Sequence, residues 1–216
     1  MSTNNTSIIV LALIAISVIA GALLWNQLPE LMASHWNVNN EVDGYMPRFS
    51  GVFMMPLITL GMFALFLVLP NIDPLKANIA QFRGAFNLFI VLITVFMLYI
   101  HGLTLVWNLG YQNFEIGTAM MPFLGIVFMF IGYLLRQAKR NFFIGIRTPW
   151  TLSSDIVWEK THRLGSVLFI LSGALAFAGS FFSGMTAFWL LMAPLTGSAI
   201  FLAVYSYILY RNETQA

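Results

Sequence analysis

The sequence predicts an all-α protein: a polytopic membrane helix bundle of six transmembrane helices with both termini cytoplasmic. Three observations predict it. Hydrophobic residues make up 59% of the 216, and charged residues only 8%, against about 25% charged in a soluble domain. So few charges cannot cover a water-facing surface, so the solvent is lipid. Six apolar runs are also long enough to cross a bilayer, which takes roughly 17–25 residues: Ile8–Trp25, Val52–Leu69, Ala85–Trp107, Thr118–Leu135, Leu164–Phe182 and Ala187–Tyr210. Lastly, Lys and Arg are distributed unevenly. The side holding the termini and the second and fourth loops carries all of them except Arg48. The positive-inside rule puts that side in the cytoplasm.

The absence of cysteine excludes disulfides, thiolate metal sites and a Cys nucleophile. The basic residues lie in loops beside spans, which argues against a nucleic-acid partner, and no cofactor signature is present. Three modules are expected: residues 1–70 with an outward loop between the first two spans, 71–135 with the middle pair, and 136–216 with a cytoplasmic loop and a final helical hairpin.

The first run contains Ala20-Gly21-Ala22, which has the small-x-small form of a signal-peptide cleavage site. Residues 1–7 lack Lys and Arg, however, and the run exceeds the usual apolar region of 7–15 residues. A retained helix is expected. The outward loop reads NQLPELMASHWNVNNEVDGYMPRFS from Asn26 to Ser50. Pro29 and Pro47 stop a helix from running through it, and Asn39-Asn40 and Asp43-Gly44 are turn pairs. One expectation is a connector anchored at the headgroups by Trp36 and Tyr45. The other is a folded lid that meets a ligand or covers the bundle.

The third run contains His101, an ionisable residue inside a span and so a functional candidate. Its structural alternative is a neutral ring bonded to a carbonyl or water. If His101, His35, Asp43 and Glu115 converge, a metal or proton site becomes conceivable.

The fourth span ends at Arg136, and the main basic loop follows. Lys139 and Arg140 are expected to snorkel to headgroups, with Phe142-Phe143 in the interface. Pro149 disfavours helix at Thr148. Ser153 or Ser154 then caps a short helix from about Asp155 that can continue into the fifth span. Asp155, Glu159 and His162 share one stripe of it. That stripe is a solvated face with local ion pairs, a docking surface, or part of a metal site. Glu159 and Arg163 are spaced for an ion pair. In the fifth span, Ser172, Ala176 and Ser180 form a small-residue ridge for close helix approach, with the sixth span as expected partner. Pro194 and Gly197 are expected to kink that sixth helix.

Two loops together resemble a known family. The first match is Leu28-Pro29, His35-Trp36-Asn37 and Asp43-Gly44-Tyr45. The second runs from Asn141 to Gly165 and includes Gly145-Ile146-Arg147-Thr148-Pro149-Trp150-Thr151-Leu152-Ser153-Ser154-Asp155, Trp158 and Thr161-His162-Arg163. This pattern is similar to the SdpI family, bacterial immunity proteins against the sporulation-delaying toxin. The family tends to carry Gly near position 40 and Pro near 42, where this chain has Asn40 and Val42. Asn tolerates the left-handed backbone that Gly would supply.

The resemblance implies a multi-pass protein of the bacterial cell membrane that protects against a secreted peptide toxin. It also implies possible signalling, by holding a cytoplasmic repressor at the membrane. The candidate partner-binding residues are His35, Asn37, Asp43, Tyr45, His101, Arg147, Thr148, Trp150, Ser153, Asp155, Trp158, Glu159, His162 and Arg163. Two other function classes compete. His101 and the kinked sixth span would suit a small transporter or a subunit of one. Asp155, Glu159 and His162 could serve a membrane enzyme, although no nucleophile–base pair is evident.

Overall fold

The computed structural model describes residues 1–215. Six long helices carry the apolar runs: α1 (Thr3–Leu24), α2 (Arg48–Ile72), α4 (Arg83–Asn108), α5 (Ile116–Gln137), α7 (Asp155–Gly179) and α8 (Gly184–Gln215). Two short helices, α3 (Lys76–Gln81) and α6 (Pro149–Ser153), lie in the loops on the basic face. The spans are apolar all round because their outer surface meets lipid. Leu23, Ile8 and Ile200 are each more than 60% exposed, a surface no water-soluble bundle would carry.

The helices assort into two groups. α1, α2 and α4 contact one another, as do α5, α7 and α8, and α4 against α5 joins the groups. In the second group the closest approach is between α5 and α7. A Cβ built on Gly173 would lie 2.6 Å from the Gly125 carbonyl oxygen and from the Met129 amide nitrogen. One built on Gly132 would lie 2.6 Å from the Ser166 carbonyl oxygen. These glycines bring two backbones together, as in small-residue membrane packing. The small-residue ridge of α7 is therefore only part of its interface. Ser172 does meet α8, through Ser198 at 3.4 Å, but the tightest seam faces α5. α8 runs continuously through Pro194.

The loop from Asn26 to Ser50 departs from pure helix. It folds as a hairpin of β1 (Leu31–Trp36) and β2 (Val42–Pro47), paired antiparallel. Two strands do not change the fold class, and the lid expectation is the one the fold matches. Register runs from Leu31 opposite Pro47 to Trp36 opposite Val42, with irregularities on either side of His35. Gly44 sits opposite His35 because a Cβ there would lie 2.9 Å from the His35 Cβ. The tip turns through Asn40 at φ 60°, the only non-glycine positive φ among the described residues. Asn takes the left-handed conformation there, as expected at this position.

Candidate functional site

On the hairpin face, three ties hold the hairpin over the bundle. At its root, Arg48 donates from Nε to the Pro29 carbonyl (3.1 Å) and lies over the Trp25 ring. In the middle, the Asn108 side chain of α4 acts as an extra strand rung. Its Oδ1 accepts from the Ala33 N–H (2.8 Å), and its Nδ2 donates to the Ala33 carbonyl (3.0 Å). At the tip, Asn40 Oδ1 accepts from the Gly117 N–H at the start of α5 (3.0 Å). Beneath, Met32 is fully buried against Gly51 of α2, in a cluster with Leu28, Val52 and Leu105.

The tip of the hairpin roofs a cavity of about 560 Å³ at the junction of the two helix groups. Its walls are largely apolar: Ile100 of α4, Met120 and Leu124 of α5, Phe188 and Leu191 of α8. Trp36 and Val38 line it from the hairpin side. Trp36 stands edge-on to Trp107 at 5.4 Å, and its indole N–H is buried without an acceptor. Size and lining suit an apolar ligand with few polar groups.

The candidate residues of the hairpin have distinct parts. His35 and Asp43 pair across the strands (Nδ1 to Oδ1, 2.5 Å), both partly exposed. Asn37 builds the tip: its Oδ1 accepts from the amides of Asn39 and Glu41, and its Nδ2 donates to Glu41. Tyr45 is exposed. His101 does not join them. It is buried and bonded through Nδ1 to Ser17 of α1 (2.7 Å), with Nε2 unpartnered. Glu115 instead accepts from Thr118 in the first turn of α5. The conceivable His/carboxylate convergence is therefore not formed: among the described residues no group of three His, Asp or Glu could hold a metal.

On the basic face, the loop from Lys139 to Ser154 is knotted to its surroundings by buried polar side chains. Asn141 is wholly buried and makes four hydrogen bonds. It accepts from the Phe143 and Ile144 amides and donates to the Lys139 and Ile144 carbonyls. Asp73, also buried, accepts from the Leu75 and Phe142 amides and so ties this loop to the one after α2. Gly145 takes φ +123°, and a side chain there would run into His162. Thr148 caps α6, with Pro149 at the first helical position, where its missing N–H costs nothing. Ser154 caps α7 by accepting from the Val157 amide (3.2 Å), so α7 starts at Asp155 and continues unbroken into the membrane.

Here the structure corrects several expectations. His162 is not on a solvated stripe: it is 2% exposed and stacks on Trp158 at 3.9 Å. The Ile146 N–H donates to its Nε2 (3.0 Å) and its Nδ1 donates to the Trp158 carbonyl (2.9 Å). That pattern makes it a neutral ring with both nitrogens occupied. Asp155 pairs with Arg140 (2.7 Å), which also donates to the Leu152 carbonyl, so Arg140 folds into the loop rather than snorkelling. Glu159 and Arg163 do not form their spaced ion pair; the ion pairs among the described residues are His35–Asp43 and Arg140–Asp155. Arg147 donates to the Phe142 carbonyl, Trp150 lies against Tyr207 of α8, and Ser153 bonds back to the Pro149 carbonyl. Trp158 donates from Nε1 to the Ala138 carbonyl.

Asn108 and Asp73 were missed in the sequence, and Asn141 entered only as the first residue of the loop that resembles the family. Each lies at or beyond the end of an apolar run and bonds to backbone far along the chain or to its own loop. No spacing rule points to such a residue, although an amide or carboxylate at a helix end is a hint.

Comparison with known proteins adds an independent line. A family model described as the SdpI/YfhL protein family matches residues 137–206. A second, a domain of unknown function (DUF1648), matches residues 12–60. The immunity protein SdpI of Bacillus subtilis (strain 168) is 30% identical over 186 residues, covering 85% of this chain and 84% of that protein. No solved structure matches.

Proposed function

The chain belongs to the SdpI/YfhL family, and from that premise we propose that it is an immunity protein of the bacterial cell membrane whose hairpin faces outward and whose roofed cavity receives an apolar segment of a secreted peptide toxin. The single observation that carries the binding site is that cavity. It is largely apolar and lined on one side by residues of the hairpin. The marked excess of Lys and Arg on the opposite face supports the orientation. The walls come from both helix groups, so an occupant touching α4 and α8 at once would favour one arrangement of the groups over another.

Protection on this account is by binding, without a chemical step. The neutral, fully bonded His162 and the Arg140-paired Asp155 leave no free acid–base pair on the basic loop. Should the protein also signal, the partner would be a cytoplasmic regulator docked on the basic face, where Arg147 and Glu159 are exposed. His101, bonded to α1 away from the cavity, serves helix packing better than transport.

The test is survival of toxin-sensitive cells expressing wild type, Leu191→Trp or Met120→Trp, with membrane abundance checked. Wild type should protect and the cavity-filling variants should not. Equal protection by all three would remove the cavity from the account. No protection by wild type at normal abundance would remove the immunity role itself.

A further inference from the structure

The basic face holds a second cavity, of about 610 Å³, which the immunity reading does not use. α3, the end of α5 and the first turns of α7 surround it. Its floor includes the stacked Trp158 and His162 rings and Leu135. Arg136, Lys139, Arg140 and Arg163 line it, against Asp155 and Glu159. Arg140 and Asp155 neutralise each other. Among the described residues, Arg136, Lys139 and Arg163 have no carboxylate within ion-pair distance. Three exposed cations and one carboxylate therefore share the cavity, and the His162 ring contributes no charge.

We propose that this cavity binds a phosphate group, carried by an anionic lipid headgroup or by a small free phosphate. Guanidinium forks match phosphate oxygens in pairs, and an ammonium adds a compact charge. The three cations come from two elements, the end of α5 with its following residues and α7, and so approach from two sides. Two neutral donors of the lining are already used, Asn78 on the Arg140 carbonyl and Trp158 on that of Ala138, which leaves the cations to hold the anion. Glu159 is the one lining carboxylate without a cation partner among the described residues, so its removal has a predictable sign.

The experiment uses the full chain in nanodiscs of zwitterionic lipid. One arm titrates inorganic phosphate by calorimetry. The other adds phosphatidylglycerol and counts retained lipid by native mass spectrometry. Saturable binding in either arm supports the site, and the arm that responds identifies the source. Arg136→Gln and Arg163→Gln should each weaken binding about tenfold, the scale of one charge-assisted hydrogen bond. Glu159→Gln should tighten it. Lys160→Gln, an equal charge change on α7 outside the lining, should leave it unchanged. These side chains are exposed, so folding is checked by the melting transition of each variant. Absence of binding in both arms overturns the proposal. So does an effect of Lys160→Gln equal to that of Arg163→Gln, because charge alone would then explain the binding.

Discussion

Replacing Asn108 with Leu should loosen the hairpin while leaving the spans in place. The Asn108 amide holds both main-chain groups of Ala33, a residue only 1% exposed. Leu fills similar space but offers neither donor nor acceptor. Each buried main-chain group left unpaired costs about 1–3 kcal/mol, and two give about 2–6 kcal/mol. Water reaching the hairpin edge lowers this towards about 2–4 kcal/mol. That corresponds to local opening raised roughly 30- to 700-fold, at tenfold per 1.4 kcal/mol. Hydrogen exchange of the Met32–Trp36 amides reads such opening directly. Asn108→Asp keeps the acceptor for the Ala33 N–H but turns a carboxylate oxygen on the Ala33 and Thr104 carbonyls, so it should open the hairpin at least as much as Leu does. If exchange of β1 in Asn108→Leu stays within threefold of wild type, the rung contributes nothing and the reasoning fails.

Other consequences follow from the same geometry. Asn141→Ala removes four buried hydrogen bonds and should cost about 2–4 kcal/mol, seen as a lower melting temperature in detergent; an unchanged melting temperature would mean that water replaces the side chain. Gly173→Val places atoms against the Gly125 carbonyl and the Met129 amide, backbone that cannot turn aside. The α5–α7 seam must open, at a cost of about 1–3 kcal/mol or more, whereas Gly197→Val, whose Cβ position is open, should be near neutral. Equal melting temperatures for these two variants would contradict the close approach. Asn40→Gly should preserve the left-handed turn but lose the bond to Gly117, and Asn40→Ala should lose both. Exchange rates of the hairpin tip should therefore rank Ala above Gly above Asn.

The spans were legible because lipid imposes one strong rule on length and polarity. Hydropathy reads the membrane and not the helix, however. α2 begins at Arg48 instead of Val52, and α7 at Asp155, where the capping serines placed a helix, well before its apolar run starts at Leu164, because helices run on past the apolar zone. Caps at Thr148 and Ser154 lie within four residues of the amides they accept from, and local sequence narrowed the second to Ser153 or Ser154. The hairpin was legible only as one of two alternatives, a connector anchored at the headgroups or a folded lid. Its strands lack a clean alternation, and its position depends on Asn108 and Gly117, which lie 75 and 77 residues from their partners. The stripe of Asp155, Glu159 and His162 was correctly placed on one helix. What divided it came from elsewhere: Arg140 took Asp155, and the Ile146 amide took His162.

Labelling of a single cysteine at the cavity mouth tests the central claim most directly, since the chain has no other cysteine. Val38 is 37% exposed and lines the cavity. In intact cells, Val38→Cys should react with a membrane-impermeant maleimide, and Lys139→Cys should not. Adding the peptide toxin to protected cells should slow the Val38→Cys reaction. Labelling of Lys139→Cys instead would reverse the orientation. A Val38→Cys rate indifferent to toxin, in cells the variant still protects, would mean that protection does not act through this cavity.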